Sequence, residues 1–259
     1  MKSVAAIYTS PVKSLGLVQS QEVHVASSGI VEDRRLYLID QQNRLLTQRQ
    51  AGRLVQVQAE YSADPEWLRL RFPDGTMLED PWEPGEAVTT QMWGRSVPGH
   101  LATGDWDQAL SSFCQQSVRL AKSDQPGACY DEYPISLVSQ ASVQGLSQRV
   151  PPPLELDSRR FRPNFLLAGC QPHEEDDWLG GLVQIGEELV LRVVARDPRC
   201  IITTHDPTTG EADLDTLGLI LSYRPSPQAP YFGVYGMVEH PGKVSVGDSV
   251  QPVAGASGG

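Results

Sequence analysis

The chemistry available to this chain centres on one thiol and several arginines. Cys200 sits in the run Asp197-Pro198-Arg199-Cys200-Ile201-Ile202-Thr203-Thr204-His205-Asp206-Pro207-Thr208-Thr209-Gly210. An adjacent guanidinium favours a thiolate, and a strand end leaving a proline turn would expose it. The same thiol before two isoleucines also reads as a small buried hydrophobe. Asp206 to Gly210 reads as an Asx-type turn. Three basic segments lie beside turns or strand ends: Lys13-Ser14, Asp33-Arg34-Arg35 with Arg49 and Arg53 behind it, and Arg159-Arg160-Phe161-Arg162-Pro163-Asn164. Converging in space they would form an anion pocket, because a guanidinium matches phosphate or carboxylate bidentately. Left apart they are solvated surface arginines.

Other chemistries lack their markers. Cys114, Cys129, Cys170 and Cys200 stand 15, 41 and 30 residues apart, with no CxxC pair to seed a zinc ribbon or an iron–sulfur cluster. Cys114, Cys129 and Cys170 read as ordinary packing thiols. The five histidines form no HxxxH or HxH pair. There is no P-loop and no GxGxxG after a strand, and the one GxSxG match, Gly255–Gly259, is followed by no helix to build a nucleophile elbow.

The elements that would position these residues are mostly strands. A chain of 259 residues, 40% hydrophobic and 20% charged, with 23 Gly and 20 Pro, has the composition of a turn-rich globular protein. Period-two alternation predicts strands at Val4–Tyr8, Glu22–Val25, Leu36–Asp40, Leu45–Thr47, Leu54–Tyr61, Leu68–Phe72 and Ala87–Met92, with turns at Gln41–Asn43 and Pro73–Gly75. Trp106, Leu110, Phe113 and Cys114 share a helical face behind an N-cap at Thr103 or Asp105, and a second helix runs from Ser139 to about Gln148, stopped by Pro151-Pro152-Pro153. Further strands are expected at Arg162–Leu167, Leu182–Ile185, Glu188–Ala195, Cys200–Thr204, Tyr231–Val238 and Ser249–Val253, with a helix over Leu214–Tyr223. Pro252 restricts the last strand to an edge. The fold class is therefore mainly β (α+β), two-lobed, with a few short helices.

Lys and Arg number 21 against 32 Asp and Glu, a net charge of −11. That balance argues against a nucleic-acid or anionic-membrane partner. No leader-length or membrane-length apolar stretch occurs, so a reducing, cytoplasmic setting with free thiols is the expectation.

Taken together, Ser10-Pro11-Val12-Lys13-Ser14-Leu15, Asp33-Arg34-Arg35-Leu36, Arg160-Phe161-Arg162-Pro163-Asn164, Arg199-Cys200-Ile201-Ile202-Thr203-Thr204 and Asp206-Pro207-Thr208-Thr209-Gly210 resemble the signature blocks of MOSC-domain proteins with their N-terminal β-barrel region. Ser222-Tyr223-Arg224, Phe232-Gly233-Val234-Tyr235 and Val246-Gly247-Asp248 are similar to that family's tail, and the pattern is nearest to amidoxime-reducing components and bacterial reductases of N-hydroxylated bases. The resemblance implies an N-terminal barrel-like domain over 1–118, a MOSC β-barrel domain over 119–253 and a flexible tail over 254–259. It implies a molybdenum cofactor, a molybdopterin whose metal takes Cys200 as a protein ligand. Lys13, Ser14, Arg34, Arg162 and Asn164 fall on positions that contact the pterin and its phosphate; Ser139 with Gln140 matches a looser cofactor block, and Thr203 lines the same side. Pro198 stands where several relatives place serine.

The implied activity is two-electron removal of oxygen from a small N-hydroxylated or N-oxygenated compound, with His205 or water supplying protons. The alternative is a carrier of cofactor or of sulfur, as a Cys200 persulfide, served by a separate desulfurase, since no pyridoxal phosphate site is expected. No intrinsic iron–sulfur cluster is expected either, so electrons would come from a separate donor protein. Glu174-Glu175-Asp176-Asp177, with no Lys or Arg nearby in sequence, is the expected docking patch for that donor.

Overall fold

The computed structural model describes residues 1–152 and 154–253. The expected tail 254–259, and with it the Gly255–Gly259 match, lies outside the described residues. Ser3–Thr9 lies one strand in from the edge of an eight-stranded sheet whose order runs Val250–Val253, Leu182–Ile185, Leu189–Pro198, Tyr231–His240, Ile135–Ser139, Phe165–Ala168, Ser3–Thr9 and Val18–Ser20. Among the described strands of this sheet only Ile135–Ser139 and Phe165–Ala168 pair in parallel, through the crossover that carries the helix Gln140–Ser147. A small sheet of Gly242–Ser245, Glu22–Ala26 and Gly29–Ile30 packs against it, burying Val23, Val25 and Val244 with Ile7, Leu137, Phe165 and Leu191.

The second lobe joins Pro84–Met92, Arg95–Ala102, Arg119–Ser123, Leu36–Ile39 and Leu45–Leu46 to a meander of Gln58–Ala63, Glu66–Arg71 and Met77–Pro81. Leu36, Leu38, Leu54, Val57, Leu68, Leu70, Leu110 and Leu120 fill it, each fully buried. The sheets do not follow a single cut of the chain: Arg119–Ser123 completes the first-half sheet, while Ser3–Thr9 belongs with the second-half strands. The chain passes between lobes at Ser10–Leu15, where Val12 bridges to Leu36 and the Lys13 N–H donates to the Leu36 carbonyl at 2.8 Å. This crossing holds the first basic segment at the seam.

Helices form at Trp106–Cys114, Gln140–Ser147 and Thr216–Tyr223. Asp105 begins the first without a side-chain cap bond; Asp215 caps the third by accepting from the Gly218 N–H at 2.9 Å. Val250–Val253 is an edge strand, as Pro252 requires. Alternation misled the sequence reading in three places. Within Leu54–Tyr61, Gly52–Gln56 is a 3-10 turn and the strand starts only at Gln58, because Leu54 and Val57 enter the core at a spacing of three. Cys200–Thr204 is no strand: Ile201–Thr204 is a 3-10 turn in which the Thr203 and Thr204 hydroxyls donate to the carbonyls three residues back, Cys200 at 3.1 Å and Ile201 at 2.7 Å. Arg162–Leu167 begins as strand only at Phe165, since Ser158–Phe161 is a 3-10 turn and Arg162 adopts φ 47°.

The Asp206–Gly210 turn forms as expected, with the Asp206 carboxylate accepting from the N–H groups of Thr208 and Thr209, both at 2.8 Å. It docks on the other lobe, where Gln56 Nε2 donates to the Thr209 carbonyl at 2.8 Å. Gly210 has φ 79°, and a Cβ there would lie 2.0 Å from the Gly52 carbonyl oxygen. Gly210→Ala is therefore expected to destabilise by about 1–3 kcal/mol. An unchanged urea midpoint would contradict this tight seam.

Candidate cofactor and substrate pocket

Between the lobes opens a cavity of about 330 Å³, lined by Lys13, Ser14, Arg34, Arg162, Asn164, Cys200 and Thr203. The basic segments thus converge rather than spreading over the surface. Six cationic side chains line it (Lys13, Arg34, Arg49, Arg160, Arg162, Arg199) against three carboxylates (Asp131, Glu132, Asp197). A locally positive cleft stands in a chain of net charge −11.

Asp33, 1% exposed, organises the cations from behind. It accepts from the Ser10 N–H at 2.6 Å, from Asn164 Nδ2 at 3.0 Å and from the Arg34 guanidinium. Asn164 Oδ1 in turn accepts from the Ser136 N–H at 3.0 Å. Arg162 Nη2 donates to Ser10 Oγ and the Leu15 carbonyl, both at 2.9 Å, tying the third basic segment to the first. Burial, with Arg34 beside it, lowers the Arg162 pKa to about 10. Lys13 Nζ donates to the Cys129 carbonyl at 2.9 Å and to Asp131 at 2.7 Å. Burial lowers the Lys13 pKa, opposed by Asp131. Against desolvation, Lys13 and then Arg34 and Arg162 hold the Asp131 carboxyl well below the usual carboxylate range.

The backbone is strained where it meets this space. Among the described residues seven non-glycine positions have left-handed φ, and four of them, Ser14 (75°), Arg34 (49°), Trp93 (51°) and Arg162 (47°), line the cavity. Such conformations persist only where the surroundings over-determine them, and they concentrate at functional sites.

Cys200 is half-buried and free, at the head of the Ile201–Thr204 turn. Its neighbour Arg199 is a strut: Nε donates to the Phe232 carbonyl at 2.6 Å and Nη1 to the Phe161 carbonyl at 2.7 Å. The Thr203 hydroxyl is spent on the Cys200 carbonyl at 3.1 Å and lies 2.8 Å from the Thr216 hydroxyl, so Thr203 shapes the turn that presents the thiol. Among the described residues no group of three or more His, Cys, Asp or Glu side chains could hold a metal ion. A metal at Cys200 would take its other ligands from a cofactor. The lining fits an anionic one: cations gather around a single thiol, and the buried Gln48 Nε2 lines the cavity with no partner among the described residues.

Three expectations are corrected. Ser139 is outside the cavity and fully buried; it caps Gln140–Ser147 by accepting from the Ser142 N–H at 3.1 Å, and its own N–H donates to Glu175 at 3.1 Å. Ser139→Ala should cost about 1 kcal/mol of stability and leave bound cofactor unchanged; lost cofactor at unchanged stability would restore it as a contact. His205 lines a separate depression of about 10 Å³, held there by its carbonyl accepting from Arg160 Nη1 at 2.9 Å. Three of the four acids in the acidic run are held inside the fold, leaving Asp177 exposed. Glu174 pairs with Lys2 at 2.7 Å, Glu175 is fully buried against Ser139 and Ser142, and Asp176 meets Arg196 at 3.3 Å and Arg224.

Sequence reasoning missed Gln48, Trp93, Asp131 and Glu132. Trp93 carried a signal, since Trp93-Gly94 forms the tip between Pro84–Met92 and Arg95–Ala102; its Nε1 donates to Asp131 at 3.2 Å and Arg49 stacks 4.7 Å from its ring. Asp131 carried no local signal, because its partner Lys13 is 118 residues away.

Among the described residues no helix is long and apolar enough to cross a membrane. Comparison with known proteins places the chain. The family profile described as MOSC domain matches residues 103–251, and that described as MOSC N-terminal beta barrel domain matches residues 1–117. The chain is 30% identical to mitochondrial amidoxime-reducing component 1 of Mus musculus, covering 96% of this chain and 81% of the relative. It is 29% identical to mitochondrial amidoxime reducing component 2 of Macaca fascicularis, over 96% and 82%. A solved structure of a YUAD protein from Bacillus subtilis is 13% identical with a TM-score of 0.46, covering 96% of this chain and 94% of that one. On profile matches that together span nearly the whole sequence, the chain belongs to the MOSC-domain family.

Proposed function

We propose that this protein is a molybdenum-cofactor-dependent reductase that removes oxygen from small N-hydroxylated or N-oxygenated compounds. The observation that carries the reading is the convergence of one free thiol, Cys200, with the Lys13, Arg34 and Arg162 cations in a single cavity. The names of the relatives, amidoxime-reducing components, support the substrate class.

In this reading Arg34 and Arg162 meet the anionic part of a pterin cofactor, with Lys13 behind them and Asn164 and Asp33 fixing their geometry. Cys200 supplies a soft sulfur ligand. When bound, the cofactor supplies two-electron oxygen-atom acceptance. The Ile201–Thr204 turn and the Arg199 strut hold the thiol still, an outer-shell contribution of the kind that orients metal ligands. Asp131, kept ionised by its cationic neighbours, can attract a protonated amidine-like or amine-like substrate. Trp93, 45% exposed, offers a flat apolar wall beside it. Electrons come from a separate donor protein.

The test is protein purified from a host that makes the cofactor, analysed for molybdenum and pterin and assayed on a simple amidoxime with a chemical reductant. The expected result is one molybdenum and one pterin per chain with conversion of amidoxime to amidine. Metal-free protein carrying a persulfide on Cys200 would instead support a sulfur carrier.

A further inference from the structure

The strand Leu189–Pro198 loses register with Tyr231–His240 between Arg196 and Pro198, and the residue inside that irregularity is Asp197. A bulge re-aims a side chain. Here the Asp197 side chain, 4% exposed, lines the cavity that holds Cys200, three residues before the thiol. Its setting is unlike that of Asp33, the other buried acid beside the cavity. Asp33 has a backbone donor, an amide and a guanidinium. Asp197 has Arg199 Nη2 at 2.7 Å, in a guanidinium already committed to two carbonyls, and the Tyr235 hydroxyl beside it. Among the described hydrogen bonds no backbone N–H donates to it. From the loop before Ile135–Ser139, Asp131 and Glu132 oppose its charge.

A carboxylate withdrawn from water with one shared cation and two acids nearby is better satisfied as the neutral acid. Burial first, then Asp131 and Glu132, push the Asp197 carboxyl up to about 6, against Arg199 and Tyr235. Asp131 in the same cavity is held far below. Two carboxyls whose surroundings drive them apart in this way divide the work of acid and anion between them.

We propose that Asp197 is the proton donor for N–O cleavage in this cavity. The inference rests on the reductase reading above. The N–O bond of an N-hydroxylated substrate breaks, the nitrogen product keeps its N–C bond, and the oxygen leaves as water. Two electrons come from the reduced donor, one proton from Asp197 and one from solvent, and Asp197 regains its proton from water. The acid must be protonated to act, so turnover falls as pH rises through its pKa.

The experiment compares cofactor-loaded wild type, Asp197→Asn and Asp197→Glu with a saturating chemical reductant between about pH 5 and 8. Carboxyl titration is followed in parallel by difference infrared spectroscopy. Asp197→Asn is expected to keep its molybdenum and pterin, to lose about 10²–10⁴-fold in kcat with KM nearly unchanged, and to lose the alkaline limb near pH 6. Asp197→Glu restores part of the rate. A protonated carboxyl band present in the wild type at about pH 5.5 disappears in Asp197→Asn. An Asn variant with wild-type kcat and limb overturns the proposal while leaving the reductase reading standing; so does a wild-type Asp197 carboxyl fully ionised at about pH 5, which decides the matter even if the variants fail to fold. A loaded wild type that reduces no N-hydroxylated compound overturns the reductase reading itself.

Discussion

Cys200→Ser is expected to abolish N-reduction while leaving the fold in place. The side chain is half-buried and has no partner on which another element depends. The surrounding turn is held by the Cys200 carbonyl, which accepts from the Thr203 N–H at 3.1 Å, and by the Arg199 strut, none of which involves sulfur. Exchanging sulfur for oxygen should move stability by less than about 1 kcal/mol. A ligand lost from the metal itself should cost more than the roughly 10–100-fold that loss of an outer-shell partner costs. Turnover should therefore fall by well over 100-fold at a wild-type melting temperature, whereas a Ser variant with more than a tenth of wild-type turnover would remove Cys200 from the chemistry.

The second large effect belongs to Asp33. Asp33→Ala deletes at once the acceptor of the Ser10 N–H, the partner of Asn164 Nδ2 and the counter-charge of Arg34. Arg34 and Arg162, close enough for Arg34 to help depress the Arg162 pKa, are then left with Asp131 as their shared anion. Breaking a buried pair by removing one partner costs about 3–5 kcal/mol. At this chain length that corresponds to a melting temperature lower by about 10 °C. Bound cofactor should fall as well, because the crossing at Ser10–Leu15 loses its anchor. Asp33→Asn, which keeps an oxygen for Ser10, should lie between alanine and wild type. A denaturation midpoint unchanged in Asp33→Ala would show that the cations are held by something other than this carboxylate.

The sequence made parts of this site legible because they are local. Lys13, Arg34, Arg162 and Cys200 each sit in a short block at a strand end, where turn residues mark a break in alternation. The strained φ values at Ser14, Arg34 and Arg162 are the structural counterpart of those breaks. The strands Glu22–Ala26 and Glu66–Arg71 were readable for a similar reason, since their buried residues alternate with more exposed ones. What depends on distant chain was not readable. Ile135–Ser139 is buried at every position and Arg119–Ser123 at three of five, so neither alternates cleanly, and these strands, like Gly242–Ser245, take their places from partners elsewhere in sequence.

Glu174–Asp177 looked like a solvated acidic face because its cations, Lys2, Arg196 and Arg224, arrive from remote segments. Ser139 looked like a ligand-binding hydroxyl because a helix cap and an anion site ask for the same residue type, and Glu175, 36 residues on, decides between them. Ile201-Ile202-Thr203-Thr204 has every β-preference, yet two threonine hydroxyls bonding back onto the chain turn it into the 3-10 turn that presents Cys200.

The central claim is that Cys200 ligates molybdenum within this cationic cavity. X-ray absorption at the molybdenum K-edge, on cofactor-loaded wild type and Cys200→Ser matched for metal content, tests it most directly. The account predicts a sulfur shell smaller by one scatterer in the serine variant. An identical sulfur shell in the two proteins would contradict it.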